Sequence, residues 1–302
     1  MDQVALSVVI ATHNAEPVIA DCLSALERQT GSASFEVIVA DSSTDSTPGI
    51  VRECFPWARL LHFDEPLTIP ALRGRGVAAA RGDVIAIVDP FSVTAPNWVS
   101  NILGAHARHP HNVIGGSVDL YGAETASYAA WSIYLNEYGL FMPPTVRGKT
   151  WILPGTNVSY KREALFDGAS PRYPIFWKTY VNWAIEGSGS LQWLEPDIRI
   201  QTNKPVRFFD FLWTRYHHGR CFAGMRVRGG SLLTRVLRAA STVIVPFLLL
   251  WRWTAGFWPK ARHRWWFAAT LPAQVALFVV WAFGETCGYL AGTGRSCDRI
   301  YY

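Results

Sequence analysis

The eight residues Val84 to Phe91, V-I-A-I-V-D-P-F, decide how this chain is read. Five apolar residues, four of them β-branched, make a run short enough to be a fully buried strand. The run ends on one carboxylate, Asp89, and Pro90 then stops the ladder because it has no N–H to give. In an open α/β sheet, ligands bind outside the carboxyl ends of the strands, so Asp89 is the first candidate for a metal or phosphate site. Taken singly, an Asp-Pro pair reads equally as a turn, or as a cap for a helix starting near Pro96. The flanking sequence has to decide.

Upstream, Leu6 to Ala11 is a buried-strand run, followed by the polar turn Thr12-His13-Asn14 and a helical pattern from Pro17 to Gln29. Phe35 to Asp41 is a second strand, closed by Ser42 to Thr47, which is rich in N-capping residues. A third short strand, Arg59 to Phe63, leads to a helix over Ala71 to Ala80 and so to the Asp89 strand. Strand and helix alternate four times, which predicts a parallel sheet with helices on its faces. Gly74-Arg75-Gly76-Val77-Ala78-Ala79 matches G-x-G-x-x-A, but no strand directly precedes it and no acidic residue follows at ribose distance, so a dinucleotide site is rejected. Arg73, Arg75 and Arg81 lie beside the carboxyl edge, where arginines reach a diphosphate; each is equally readable as part of a solvated helix face.

Four segments, Ser7 to Glu16, Glu36 to Thr47, Ala80 to Asp89 and Pro96 to Val99, resemble in order and spacing the family 2 glycosyltransferases of the GT-A fold. Gly155 to Leu165, G-T-N-V-S-Y-K-R-E-A-L, is similar to the segment that precedes the acceptor region in that family. The resemblance implies an α/β fold with a mostly parallel sheet, flanking helices and a nucleotide-sugar donor. By it, Thr12 and Glu16 line the nucleotide pocket, Asp41 accepts a hydrogen bond from the base, and Asp45 supports that loop. Arg73 and Arg75 join this substrate-binding set. Asp89 takes the first position of a D-x-D motif, which implies Mg²⁺ or Mn²⁺ bridging the diphosphate, as suits a hard cation shared between a carboxylate and phosphate oxygens.

Two positions depart from the family. Phe91 stands where D-x-D has its second acid, and Trp177-Lys178 falls where the family carries its acidic general base. A lysine there accepts a proton only with a strongly depressed pKa, and a structural role for Lys178 is the simpler reading. Asp167 and Glu186 are the substitutes the sequence offers, unranked; no catalytic residue is assigned.

Composition sets the outer bounds. The 302 residues carry a net charge of +5, 50% hydrophobic residues, 14 Trp and five cysteines without C-x-x-C spacing. The scattered cysteines argue against a zinc site or a disulfide framework, and for a reducing compartment around Cys22, Cys54 and Cys221. No signal-peptide pattern is visible near the first strand, so the N-terminus is expected in the cytosol. Between Lys204 and Arg238, eight Lys/Arg face one acid, Asp210, with aromatics interleaved. This pattern, ahead of an apolar segment, reads as a membrane-surface stretch rather than a nucleic-acid site. Within it, Arg215 to Arg220, R-Y-H-H-G-R, falls where the family closes a mobile segment over the donor phosphates; His217 and His218 read equally as helix-surface residues.

Ser241 to Trp258 and Trp265 to Gly292 are candidate membrane helices, the second the better span. A two-helix hairpin, Ala239 to Trp258 and Trp265 to Gly292, satisfies length. A single crossing, with the first segment kinked at Pro246 and Trp251, Trp253 and Trp258 at headgroup depth, better suits Lys260, Arg262 and Arg264 in the connecting loop. The expected organisation is a glycosyltransferase domain over 1–203, a basic aromatic segment over 204–238 and a membrane anchor over 239–302, at the inner membrane and facing the cytoplasm. Two functions stay open: transfer of a sugar to a lipid-linked or polysaccharide acceptor, and a non-catalytic relative acting as partner or sensor in polysaccharide assembly.

Overall fold

In β1 (Leu6–Thr12) every residue is buried, as the unbroken apolar run requires. A computed structural model describes residues 4–300 except 32, 188, 190, 259, 261 and 262; the expectation for Arg262 therefore lies outside the described residues. The chain forms two compact units, 1–121 with 141–205, and 122–140 with 206–302.

The first unit runs through α1 (Ile19–Glu27), β2 (Phe35–Asp41), α2 (Thr47–Cys54), β3 (Arg59–His62), α3 (Ile69–Ala79), β4 (Val84–Val88), β5 (Ser92–Thr94), α4 (Trp98–Arg108) and β6 (Val113–Leu120). After α5 (Tyr128–Tyr138), which belongs to the other unit, it resumes with β7 (Gly148–Thr150), β8 (Asn157–Lys161), α6 (Arg162–Leu165), β9 (Phe166–Asp167), β10 (Ser170–Pro171), α7 (Lys178–Gly187) and β11 (Gln192–Thr202). Among the described residues the main sheet has nine strands, in the order β3-β2-β1-β4-β8-β6-β11-β5, with β7 also on β11. β3, β2, β1 and β4 are mutually parallel, as the strand–helix alternation predicts. β8 then runs antiparallel to both β4 and β6, and β5 antiparallel to β11, so the whole sheet is mixed. β5 escapes the sequence pattern because three residues carry no period; only its pairing with distant β11 makes it a strand.

The Gly74-Arg75-Gly76 glycines are packing glycines. A Cβ on Gly76 would strike Val9 Cγ1 of β1, and one on Gly74 would strike the Pro174 carbonyl, so α3 lies closer to its neighbours than any side chain allows. The resemblance segments also meet in space. Trp98 Nε1 donates to Asn157 Oδ1 at 2.9 Å, and Asn157 Nδ2 donates to the carbonyls of Ser117 and Ile198, both at 2.9 Å. Asn157 is thus a buried clamp across β8, β6 and β11.

The second unit contains α5, α8 (Phe208–Arg226), α9 (Leu232–Ser241), α10 (Val245–Phe257) and α11 (Arg264–Ala291). α8 lies directly on α11 because glycines face backbone. Gly219 meets the Trp281 carbonyl, Gly284 the Tyr216 carbonyl, and Gly288 the Arg220 carbonyl. Several expectations are corrected here. The basic aromatic segment is not a free surface strip: Phe211, His217, Cys221 and Ala223 of α8 are buried. The guanidinium of Arg215 stands 4.3 Å over the Trp281 ring, and Arg226 pairs with Glu285 at 2.8 Å. A stripe of small residues turned α8 inward, and its cations followed by pairing or stacking. Cys221 and Cys297 form a disulfide, against the expectation from cysteine spacing, which has no access to residues 76 apart in sequence.

Pro246 begins α10 instead of kinking it, since the first helical turn needs no N–H there. Trp253 is buried, stacked on Phe267 at 4.3 Å, with Nε1 donating to the Leu135 carbonyl at 2.9 Å. Lys260 is not a free loop charge: Nζ donates to the carbonyls of Leu140 at 2.7 Å and Gly139 at 3.0 Å. Leu232–Phe257 and Arg264–Ala291 are each long and apolar enough to cross a membrane.

Candidate functional site

The carboxyl ends of β1, β2 and β4 lie side by side at one edge of the parallel half-sheet, and two polar clusters form there. The first ties the loops after β1 and β2 together. Thr12 and Asp41 are register partners, and Thr12 Oγ1 donates to Asp41 Oδ1 at 2.7 Å. Asp45 accepts from the Glu16 backbone N–H at 3.2 Å and from Thr47 N–H and Oγ1, while Glu16 Oε2 accepts from Ser46 N–H at 3.4 Å. Asn14, in the left-handed region at φ 53°, accepts from Thr44 N–H at 2.9 Å. The four residues assigned to the nucleotide pocket are therefore brought together.

Asp41 is fully buried, and the four acceptor positions of its carboxylate are taken within the protein: by Thr12, by Ser43 through Oγ and N–H, and by His62 Nδ1 at 2.7 Å. A hydrogen bond from a base to Asp41 must displace one of these. His62, with 22% of its side chain exposed, is the partner with room to move. His62 was missed from the sequence because nothing local marks it; only the β2–β3 register sets it opposite Asp41.

The second cluster is at the end of β4. Asp89 Oδ1 accepts from Arg73 Nη2 at 2.8 Å and from Lys178 Nζ at 3.2 Å, and the same ammonium donates to the Gly155 carbonyl. The three side chains are only 10–12% exposed. Burial by itself would raise the Asp89 pKa, but the Lys178 ammonium and the Arg73 guanidinium outweigh it and hold the carboxyl at about 2. Arg75 stands 5.9 Å over the Phe63 ring, outside this cluster, and Arg81 pairs with Glu36 at 2.7 Å, near the opposite end of β2. Arg81 is thereby removed from the diphosphate edge.

The residues present do not fit a divalent cation. Phe91 is buried and gives no ligand, and Asp89, the one carboxylate, already carries two cations. Both cations sit on Asp89 Oδ1, and a divalent ion on that carboxylate would be repelled by the adjacent Lys178 ammonium and Arg73 guanidinium. Among the described residues no group of three or more His, Cys, Asp or Glu could hold a metal ion.

The substitutes for a general base also sit apart from Asp89. Asp167 lines a cavity of about 740 Å³ with Asp83 and Val84, at the start of β4 rather than its end. Glu186 is at the far end of α7 from Lys178, roughly 12 Å along the helix, where Gln192 Nε2 approaches it at 3.5 Å.

A parallel half-sheet with two polar loops and a charged cluster at its carboxyl edge, continued through an antiparallel strand into a mixed sheet, defines an α/β fold of the GT-A type. Solved structures share it. The mannosyltransferase PcManGT from Pyrobaculum calidifontis, in complex with GDP-Man and Mn²⁺, superposes with a TM-score of 0.54 at 19% identity, over 98% of this chain and 85% of that one. TarS 1–349 of S. aureus, in complex with UDP-GlcNAc, gives 0.53 at 14% identity, over 96% of this chain and 91% of that one. The chain belongs to glycosyl transferase family 2, whose model matches residues 7–167, more than half of its length. It is similar to validoxylamine A glucosyltransferase of Streptomyces hygroscopicus subsp. limoneus, 36% identical over 107 residues, which is 34% of this chain and 24% of that protein. The chain thus spans about a quarter of that relative's length.

Proposed function

We propose that the chain is a glycosyltransferase that takes a sugar from a nucleoside diphosphate donor, UDP- or GDP-linked, and passes it to a membrane-associated acceptor such as a lipid-linked saccharide or a growing polysaccharide. The observation that carries this is the joined loop system of Thr12, Glu16, Asp41 and Asp45 beside the Arg73–Asp89–Lys178 cluster, on the edge where such sheets take ligands. The first group suits a nucleoside, and the second offers cationic N–H donors to the diphosphate beside it. As the sugar leaves, negative charge grows on the departing diphosphate, and positioned N–H donors stabilise it there. The apolar helices of the second unit favour an acceptor at a membrane; the inner membrane, with the catalytic unit on its cytoplasmic side, is the location this reading proposes.

One observation favours the non-catalytic alternative: the family's base position is Lys178, engaged with Asp89, and neither Asp167 nor Glu186 stands near it. Purified protein in detergent, offered a panel of UDP- and GDP-sugars, separates the two. Donor turnover supports the enzyme, whereas binding of the nucleoside diphosphate without turnover of any donor, with lipid and saccharide acceptors supplied, supports the partner or sensor. Asp41→Ala is expected to weaken nucleotide binding by about 1–3 kcal/mol, through loss of the base contact and of the loop it holds. Unchanged affinity by calorimetry would remove Asp41 from the pocket.

A further inference from the structure

We propose that Arg73 and Lys178, gathered on Asp89, are this chain's own counter-charge for the donor diphosphate, so that nucleoside diphosphate binding needs no divalent cation. The inference rests on the nucleotide-donor function proposed above. Its starting point is a pair of departures that compensate each other. Phe91 removes the second acid of the expected metal motif, and Lys178 replaces the expected acid on α7 with a cation. In the folded chain the new cation is directed to the remaining acid, with Nζ on Asp89 Oδ1 at 3.2 Å and on the Gly155 carbonyl. Those are oxygen partners of the kind a bound metal ion would take.

Charge balance supports the exchange. One carboxylate with a divalent cation carries a net charge of +1, and Asp89 with Arg73 and Lys178 carries the same. The ammonium is tethered to α7 and the guanidinium to α3, so this charge is present before any ligand arrives. Arg73 has capacity to spare: its Nη2 is used by Asp89, while its buried Nε has no hydrogen-bond partner. An unsatisfied buried N–H is costly unless something completes it, and a phosphate oxygen at the guanidinium edge would do so in the forked geometry arginine favours. Asp89 then positions the two cations instead of ligating a metal.

The test begins on the wild-type 302-residue chain in detergent, which avoids any question of mutant folding. Calorimetric titration with UDP and with GDP is run in EDTA and again with Mg²⁺ or Mn²⁺. The proposal expects the preferred nucleotide to bind with affinities within about twofold in the two conditions. Binding that appears only with metal, or tightens tenfold or more with it, overturns the proposal while leaving the nucleotide-donor function intact. No binding in either condition overturns that function itself.

Variants then locate the effect. Lys178→Gln and Arg73→Gln are each expected to weaken diphosphate binding at least tenfold while leaving uridine or guanosine binding unchanged, and Lys178→Arg to restore most of the loss. Equal loss for nucleoside and diphosphate, or no loss for either, would overturn the assignment. Asp89→Asn gives opposite signs: a metal ligand's loss abolishes diphosphate binding, whereas release of two cations from their carboxylate preserves or tightens it.

Discussion

Asp89 carries a carboxyl held at about 2 against an ordinary value of 3.8. Because the folded value is the lower one, its pairing with Arg73 and Lys178 stabilises the fold fully above pH 4, and this contribution is lost as pH falls toward 2. The shift corresponds to roughly 2 kcal/mol. Denaturant titrations at pH 5, 3 and 2 should therefore show wild type losing that much more stability on acidification than Asp89→Asn, which has no proton to take up at this position. Parallel acid curves for the two would mean that the Asp89 pairing gives no net stabilisation. The same side chain explains why removing one cation differs from removing the acid. Without Lys178 the pair with Arg73 survives, but without Asp89 two largely buried cations face each other.

Among the elements, α11 owes its fit to glycine. A Gly→Ala change inside a helix ordinarily gains up to about 1 kcal/mol in helix propensity. At Gly288 a Cβ would strike the Arg220 carbonyl and come within 2.8 Å of the Ala223 Cβ, atoms fixed in α8, and overpacking of this kind costs about 1–3 kcal/mol. Gly288→Ala should therefore lower the thermal midpoint, whereas Gly49→Ala on α2, where nothing lies within 4 Å of the added carbon, should leave it unchanged or raise it. A stabilised Gly288→Ala would mean that α8 and α11 do not pack this closely. The end of α11 is secured further by the Cys221–Cys297 disulfide, while Cys22, Cys54 and Cys287 are free. Thiol titration of the unfolded chain should accordingly find three reactive groups before reduction and five after. Cys22 is expected to be silent in the folded protein, since burial pushes its thiol up to about 12.

On the scale of the whole molecule, the proposed membrane acceptor requires an outward apolar face. The second unit has one: Leu232, Leu233, Val236 and Leu237 on α9, and Phe247, Leu248 and Trp251 on α10, are exposed at values from 46% to 76%. On α11, Leu271, Val275, Val279, Phe283 and Leu290 are also exposed, while Gly284, Glu285 and Gly288, which meet α8, are buried. Arg228 and Arg238 flank the α9 face with charge suited to anionic headgroups. Flotation with vesicles containing an anionic lipid should recover the wild-type protein. Leu233→Glu combined with Leu237→Glu should reduce recovery severalfold, and equal recovery of the variant would show that α9 does not meet the bilayer. Cys297 cannot report topology by thiol labelling until its disulfide is reduced.

The sequence by itself determined the alternation of strands and helices from Leu6 to Val88, because apolar period and capping residues act within a few positions of themselves. β2 falls on the predicted Phe35 to Asp41, and β4 ends one residue before Asp89, where Pro90 withdraws an N–H. The same local patterns made Asp89 and Arg73 legible as candidates at the carboxyl edge, whereas Thr12, Glu16, Asp41 and Asp45 were legible only through the resemblance to the family. Tertiary structure alone decided what these residues touch. His62 reaches Asp41 because β3 pairs with β2, and Lys178 reaches Asp89 although 89 residues separate them. Cys221 met Cys297, α5 joined the helical unit, and Arg81 went to the far end of β2 for the same reason. Periodicity records which face of an element is buried, but not which distant element covers it; strand order and helix packing supply that, and they turned an apparent metal ligand into the anchor of two cations.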